Sequence, residues 1–126
     1  MLKVNSYDID GVIFMNDHYT GLAPANPQDV IITGRSYTHA EETYKMLHGR
    51  GIYNQVFFNK MPRTDTRYGR RGSGIHKANV IMTLNELGIQ VDLHFEDDPR
   101  QKDPMMEAFQ TYNNEISDSP ELMIKT

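Results

Sequence analysis

The sequence predicts an α/β domain of three layers, with a mainly parallel central sheet between helices. Three observations carry that prediction. Short apolar runs alternate with segments of helical periodicity, the pattern of parallel strands joined by crossover helices. The run Asp29-Val30-Ile31-Ile32-Thr33 is β-branched and apolar on both faces, as a buried parallel strand requires. The apolar runs end in acids, glycines or a threonine, at the strand edge where open α/β sheets bind ligands. At 126 residues the chain forms one domain, 1–126, with a real core.

Each element can be justified in order. Leu2 to Tyr7 alternates apolar and polar residues and reads as the first strand. It runs into Asp8-Ile9-Asp10-Gly11, where the glycine permits a tight turn. Val12-Ile13-Phe14, followed by the turn-formers Asn16-Asp17-His18 and Thr20-Gly21, fits a small hairpin or flap. Pro24 and Pro27 keep the next stretch extended. Asp29 to Thr33 is the second strand. A helix follows it, capped by Ser36 or Thr38, with Glu41 and Glu42 near its start and Gly49 and Gly51 at its end.

Gln55 to Phe58 is the third strand. The stretch from Asn59 to Gly74 reads as a mobile basic loop, with Lys60, Arg63, Arg67, Arg70 and Arg71 against the single acid Asp65. Ser73 to Leu87 is the second helix, with Lys77 in its first turn, and Gly88 ends it. A lysine there opposes the helix dipole unless an anion sits nearby. Val91 to Phe95 is the fourth strand, ending in Glu96-Asp97-Asp98-Pro99. Gln101 to Tyr112 is a third helix with Met105, Met106 and Phe109 inward. The residues from 113 to 126 form a polar tail in which Leu122-Met123-Ile124 either adds an edge strand or frays.

Composition excludes several classes. Apolar residues make up 38% of the chain and mean hydropathy is -0.61, which places it at the polar end of globular proteins. No run approaches the roughly 18 apolar residues of a membrane helix, so no membrane association is expected. The opening residues lack a basic segment followed by an apolar one, so no signal peptide is expected. The absence of cysteine excludes disulfides, thiolate metal sites and cysteine nucleophiles, and fits a cytoplasmic chain. The net charge of -4 gives no global argument for nucleic acid, so any such argument is local.

The chemistry-bearing residues gather at one sheet edge: Asp8 and Asp10, Thr33, Asp97, and Lys77 reaching in from a helix start. Two carboxylates as close as Asp8 and Asp10 repel unless a cation lies between them or one holds a proton. That leaves a hard-metal site or an acid/nucleophile pair, while the same residue types also make ordinary turns. The three acids Glu96, Asp97 and Asp98 raise the same need for a cation. Thr33 is suited to donate to a phosphate oxygen and Lys77 to offset phosphate charge. His76, beside Lys77, is a further candidate for touching substrate.

This order and spacing resemble the haloacid dehalogenase-like (HAD) superfamily from Tyr7 to Asp98. Asp8-Ile9-Asp10-Gly11-Val12 is similar to its first motif, Ile32-Thr33-Gly34-Arg35 to its second, Lys77 to its third and Phe95-Glu96-Asp97-Asp98 to its fourth. The resemblance implies a Rossmann-like HAD fold without a cap domain and a phosphatase that works through an aspartyl-phosphate. Asp8 is then the nucleophile and Asp10 the acid/base. Mg²⁺ is held by Asp8, the Asp10 carbonyl and Asp97, with Glu96 the favoured helper over Asp98. Val12 departs from the family's usual threonine. Capless members act on large substrates or complete the site with a second copy of themselves. The second motif and Asp97-Asp98 also look like those of polynucleotide 3′-phosphatase domains. The expected substrate is therefore a nucleotide or phosphorylated nucleic-acid end, held by Gly34, Arg35, Arg67, Arg70 and Arg71, with Tyr68 placed to stack on a base. A metabolite phosphatase completed by a homo-oligomer, and a non-hydrolytic binding module, are the alternatives.

Overall fold

The computed structural model describes residues 2–16, 19–62, 64–65, 69–115 and 123–125. Strand β1 (Leu2–Tyr7) leads through a turn at Gly11 into an antiparallel hairpin of β2 (Phe14–Asn16) and β3 (Tyr19–Thr20). The chain then runs β4 (Val30–Ser36), α1 (Ala40–His48), β5 (Val56–Asn59), α2 (Arg70–Glu86), β6 (Ile89–Phe95), α3 (Pro99–Glu115) and β7 (Met123–Lys125). Five strands form one sheet in the order β5-β4-β1-β6-β7, and every pairing in it is parallel.

The strand order dictates the layers. From β1 to β4 to β5 the chain steps one way across the sheet. It then jumps back over β1 to β6 and continues to β7. Right-handed crossovers put the connections of the two directions on opposite faces. Hence α1 and the hairpin cover one face, and α2 and α3 share the other. The strands' two-residue alternation sorts the core accordingly. Val4, Val30, Ile32 and Val91 pack with Ala78, Ile81 and Leu84 of α2 and Met105 of α3. Tyr7, Ile31 and Val56 pack with Leu47 of α1 and with Ile9, Ile13 and Phe14 of the turn and hairpin. The order reverses between β1 and β6. That reversal leaves a crevice at their carboxyl ends, directly after Tyr7 and Phe95.

Several boundaries differ from the sequence expectation. The largest concerns α2, which begins at Arg70 rather than Ser73. Arg70 and Arg71 are therefore helical, the expected 59–74 loop is shorter, and Lys77 lies in the second turn rather than the first. Gly72 and Gly74 argue against helix locally, but tertiary packing overrides them. A Cβ on Gly74 would sit 2.4 Å from the Gln101 carbonyl oxygen, so glycine lets α2 lie tightly on α3. Strand β4 continues through Thr33-Gly34-Arg35 to Ser36, placing Thr33 inside the strand rather than at its end. Ser36 caps the 3₁₀ turn Tyr37–His39, its hydroxyl accepting the Thr38 N–H at 3.2 Å. Helix α3 extends to Glu115, into the expected tail. Met105 is buried as expected, but Met106 is exposed. Met123–Lys125 adds the edge strand, parallel to β6. Arg63, Arg67 and Tyr68 lie outside the described residues, as does the Arg70 side chain. No helix among the described residues is long and apolar enough to cross a membrane.

Candidate active site

Asp8 leaves β1 at the crevice with its N–H donating to the Phe95 carbonyl at 3.1 Å, so β1 and β6 hold it from both sides. Its side chain is buried and meets Lys77, whose Nζ lies 3.1 Å from Asp8 Oδ2. The same ammonium donates to Glu96 Oε1 and to Gln101 Oε1, each at 2.5 Å. Lys77 is wholly buried, so its three donors are spent on two carboxylates and an amide oxygen. Burial alone would lower its pKa, but Asp8 and Glu96 outweigh that and raise it.

Behind Glu96 the network continues inward. His94 Nε2 lies 3.4 Å from Glu96 Oε1, and Ser6 Oγ lies 2.6 Å from His94 Nδ1. A carboxylate only accepts, so Nε2 bears the ring proton and Nδ1 accepts from the Ser6 hydroxyl. Burial pushes the His94 pKa down to about 3, and the ring is neutral.

The charges facing Asp8 do not balance. Glu96 and Asp97 each place a carboxylate oxygen within 4.8 Å of one of Asp8, in a three-acid cluster served by one lysine. Burial raises the Asp8 pKa, Lys77 only partly opposes this, and Glu96 raises it further, to about 7. Gly11 completes the cluster. Its φ is +84°, and a Cβ there would fall 1.9 Å from Asp97 Oδ2. Glycine suits the left-handed turn and leaves the space in which the Asp97 carboxylate sits.

Asp8, Asp10, Gly11, Asp97, Gly34 and Arg35 line one open cleft of about 590 Å³, together with the N-terminal ends of α2 and α3. Asp10 is mostly exposed and is gripped by Arg35 through two parallel bonds of 2.7 and 2.9 Å. Arg35 is itself braced by Thr43 Oγ1 at 3.2 Å and Met46 Sδ at 3.4 Å. Asp98 is committed to structure. It caps α3, accepting the Arg100 N–H at 2.9 Å with Pro99 at the first helical position.

Thr33 and Lys77 do not line the cleft. Thr33 is fully buried, and its hydroxyl oxygen accepts the Arg35 N–H at 3.0 Å. Arg71 is turned away as well. It pairs with Glu107 at 3.3 Å and lines a separate, largely apolar groove with Lys60 and His76. The cause is the register of α2. Gly69 and Ser73, four apart, share the face over the cleft, while Arg71, Ile75 and His76 lie on the flank.

Three residues at this edge escape a reading of the sequence. Ser73 lines the cleft and stands four residues before Lys77, so helical spacing alone could have found it. His94 stands two before Glu96 on the same strand face, again a legible spacing. Gln101 has no such signal, because its contact with Lys77 depends on how α3 docks on α2. Comparisons with protein-family models, with curated proteins and with solved structures found no match for this chain.

Proposed function

We propose that the chain is a Mg²⁺-dependent phosphohydrolase of the HAD type that works through an aspartyl-phosphate on Asp8, with a nucleotide or phosphorylated nucleic-acid end as substrate. One observation carries the reading. A buried carboxylate lies at the β1/β6 switch point beside a wholly buried lysine, and a second, exposed carboxylate stands two residues on at the mouth of the cleft.

The donor set fits the metal. Asp8, Glu96 and Asp97 offer oxygen ligands close enough to share one hard cation, and the raised Asp8 pKa marks an excess of negative charge there. Asp8 and Asp97, with Glu96, would hold Mg²⁺, which supplies charge neutralisation for the carboxylates and the phosphoryl oxygens.

In the chemical step an Asp8 oxygen attacks phosphorus, and the bond to the leaving alkoxide breaks. Asp10 gives that oxygen its proton. Water then attacks the acyl-phosphate as Asp10 takes its proton, releasing inorganic phosphate and restoring Asp8. Arg35 fixes the Asp10 side chain at the mouth. Lys77 acts through Asp8 and Glu96, orienting the nucleophile from beneath. The cleft's open side suits an extended substrate.

The test is phosphate release with Mg²⁺ from p-nitrophenyl phosphate, nucleoside monophosphates, and 3′- and 5′-phosphorylated oligonucleotides, with Asp8→Asn run alongside. Release that disappears in Asp8→Asn is the expected result. No release above the variant's background from any substrate would overturn the reading.

A further inference from the structure

We infer that the N-terminal end of α2, with the Ser73 hydroxyl, is a second anion subsite of the same cleft, and that it takes a phosphate group of the substrate other than the one transferred. This rests on the phosphohydrolase reading for the identity of the transferred group.

Three features converge at that end. The first is the helix start itself. Gly69 precedes α2 with no side chain to cap it, and the first turn contains no acid. Among the described residues no side chain caps the leading backbone N–H groups, and no acid in the first turn offsets the positive end of the dipole. The N-terminal end of α3, across the cleft, is capped by Asp98 and closed to an anion.

The second is Ser73. The residue is 6% exposed, and what remains open faces the cleft that it lines. Its hydroxyl has no hydrogen-bond partner among the described residues. A hydroxyl with no protein partner on the wall of a cleft keeps a donor free for a ligand oxygen.

The third is Gly34 on the opposite wall. A Cβ there would lie 2.7 Å from Ser73 Oγ. Glycine there lets α2 bring Ser73 close against β4 beside Arg35, and any larger residue would collide with the Ser73 side chain.

The subsite and Asp8 lie in one cleft of about 590 Å³, a volume that suits a small-molecule ligand rather than a single phosphate. Asp8 and its acidic neighbours claim the metal and the reacting phosphoryl. The uncapped helix end, with no carboxylate in its first turn, suits a group that carries charge but does not react. The substrate class is thus a phosphate monoester bearing a second phosphate, as in a nucleoside bisphosphate or the phosphodiester next to a phosphorylated nucleic-acid end.

The experiment measures binding, separately from turnover. The whole chain carrying Asp8→Asn is titrated calorimetrically with Mg²⁺ and three probes: adenosine 3′-phosphate, adenosine 3′,5′-bisphosphate and a 3′-phosphorylated dinucleotide. The titrations are repeated with Ser73→Asp and Ser73→Ala added. An aspartate at this position favours the helix dipole, so the fold should be kept while an anion is repelled. The expected result is that the second phosphate strengthens binding about tenfold, and that the advantage vanishes with Ser73→Asp and shrinks with Ser73→Ala. The bisphosphate and dinucleotide arms tell a free second phosphate from a diester. Equal affinities for mono- and bisphosphorylated probes, or an advantage that survives Ser73→Asp, would overturn the subsite. Loss of this advantage together with no phosphate release from any ester would leave the subsite standing and remove the hydrolase reading.

Discussion

Replacing Asp8 by asparagine should make this protein more stable while removing its proposed chemistry. The ionised Asp8 side chain is buried, and its pKa is raised from 3.8 to about 7, by burial first and by Glu96 in addition. Folding therefore favours the protonated acid. The resulting penalty is absent below pH 3.8. It grows by roughly 1.4 kcal/mol per pH unit and is complete above about pH 7. At pH 8 it amounts to about 4 kcal/mol, an upper figure for what a neutral isostere recovers. The Asp8→Asn change would not strand Lys77, which keeps Glu96 and Gln101 at 2.5 Å. The assay is urea unfolding followed by circular dichroism at pH 4 and pH 8, with chelator and then with saturating Mg²⁺. The variant should exceed the parent by several kcal/mol at pH 8 in chelator. The gap should nearly close at pH 4, and should narrow at pH 8 when Mg²⁺ occupies the acids of the parent. A variant no more stable than the parent at pH 8 in chelator, or a gap of equal size at both pH values, would refute the account of Asp8.

Other perturbations have equally definite outcomes. Lys77→Met leaves Asp8 and Glu96 facing each other without a cation; it should cost about 3–5 kcal/mol in urea unfolding, and adding Glu96→Gln should recover part of the loss. Gly11→Ala forces a Cβ into the Asp97 carboxylate and into a left-handed backbone, so half-saturation by Mg²⁺ in a titration of phosphate release should rise by about tenfold or more. His94 is held neutral by burial with its pKa lowered to about 3, against 6.5 unfolded. Its contribution is intact above pH 6.5 and is lost as pH falls toward 3, so His94→Gln should unfold at a lower pH than the parent in an acid titration followed by circular dichroism.

The sheet and much of its edge were legible because strands advertise themselves through burial on both faces, and because strand-end acids stand next to those runs. Asp8, Asp10 and Asp97 could be placed from spacing alone. Helix α2 could not, because Gly72 and Gly74 read as loop residues until α3 is seen packed against them. That single misplacement carried Arg71 to the wrong side and hid Ser73. Thr33 illustrates the limit of strand-end reasoning: β4 runs three residues beyond Thr33, so the hydroxyl lies inside the strand and turns inward. The division of labour among Glu96, Asp97 and Asp98 depends on how α3 starts. Asp98 before Pro99 is a capping signal visible in the sequence, yet it stands inside an acidic run where a cation is the competing explanation.

The buried lysine also has a consequence for how the chain folds. Lys77 joins residues 19 and 24 positions further on, and the Ser6–His94 bond beneath it spans 88. None of these ties forms within a single hairpin or helix. β1 pairs with β6 across more than 80 residues of intervening chain, and such long-range parallel pairings are expected to close slowly. During synthesis Asp8 emerges long before Lys77, Glu96 and Gln101, and spends that interval hydrated and separate from them. The acidic edge around Asp8 is therefore expected to be a late product of folding. In refolding, cation binding should lag behind the recovery of helix, so that a nascent or half-folded chain carries the residues of the site without its chemistry.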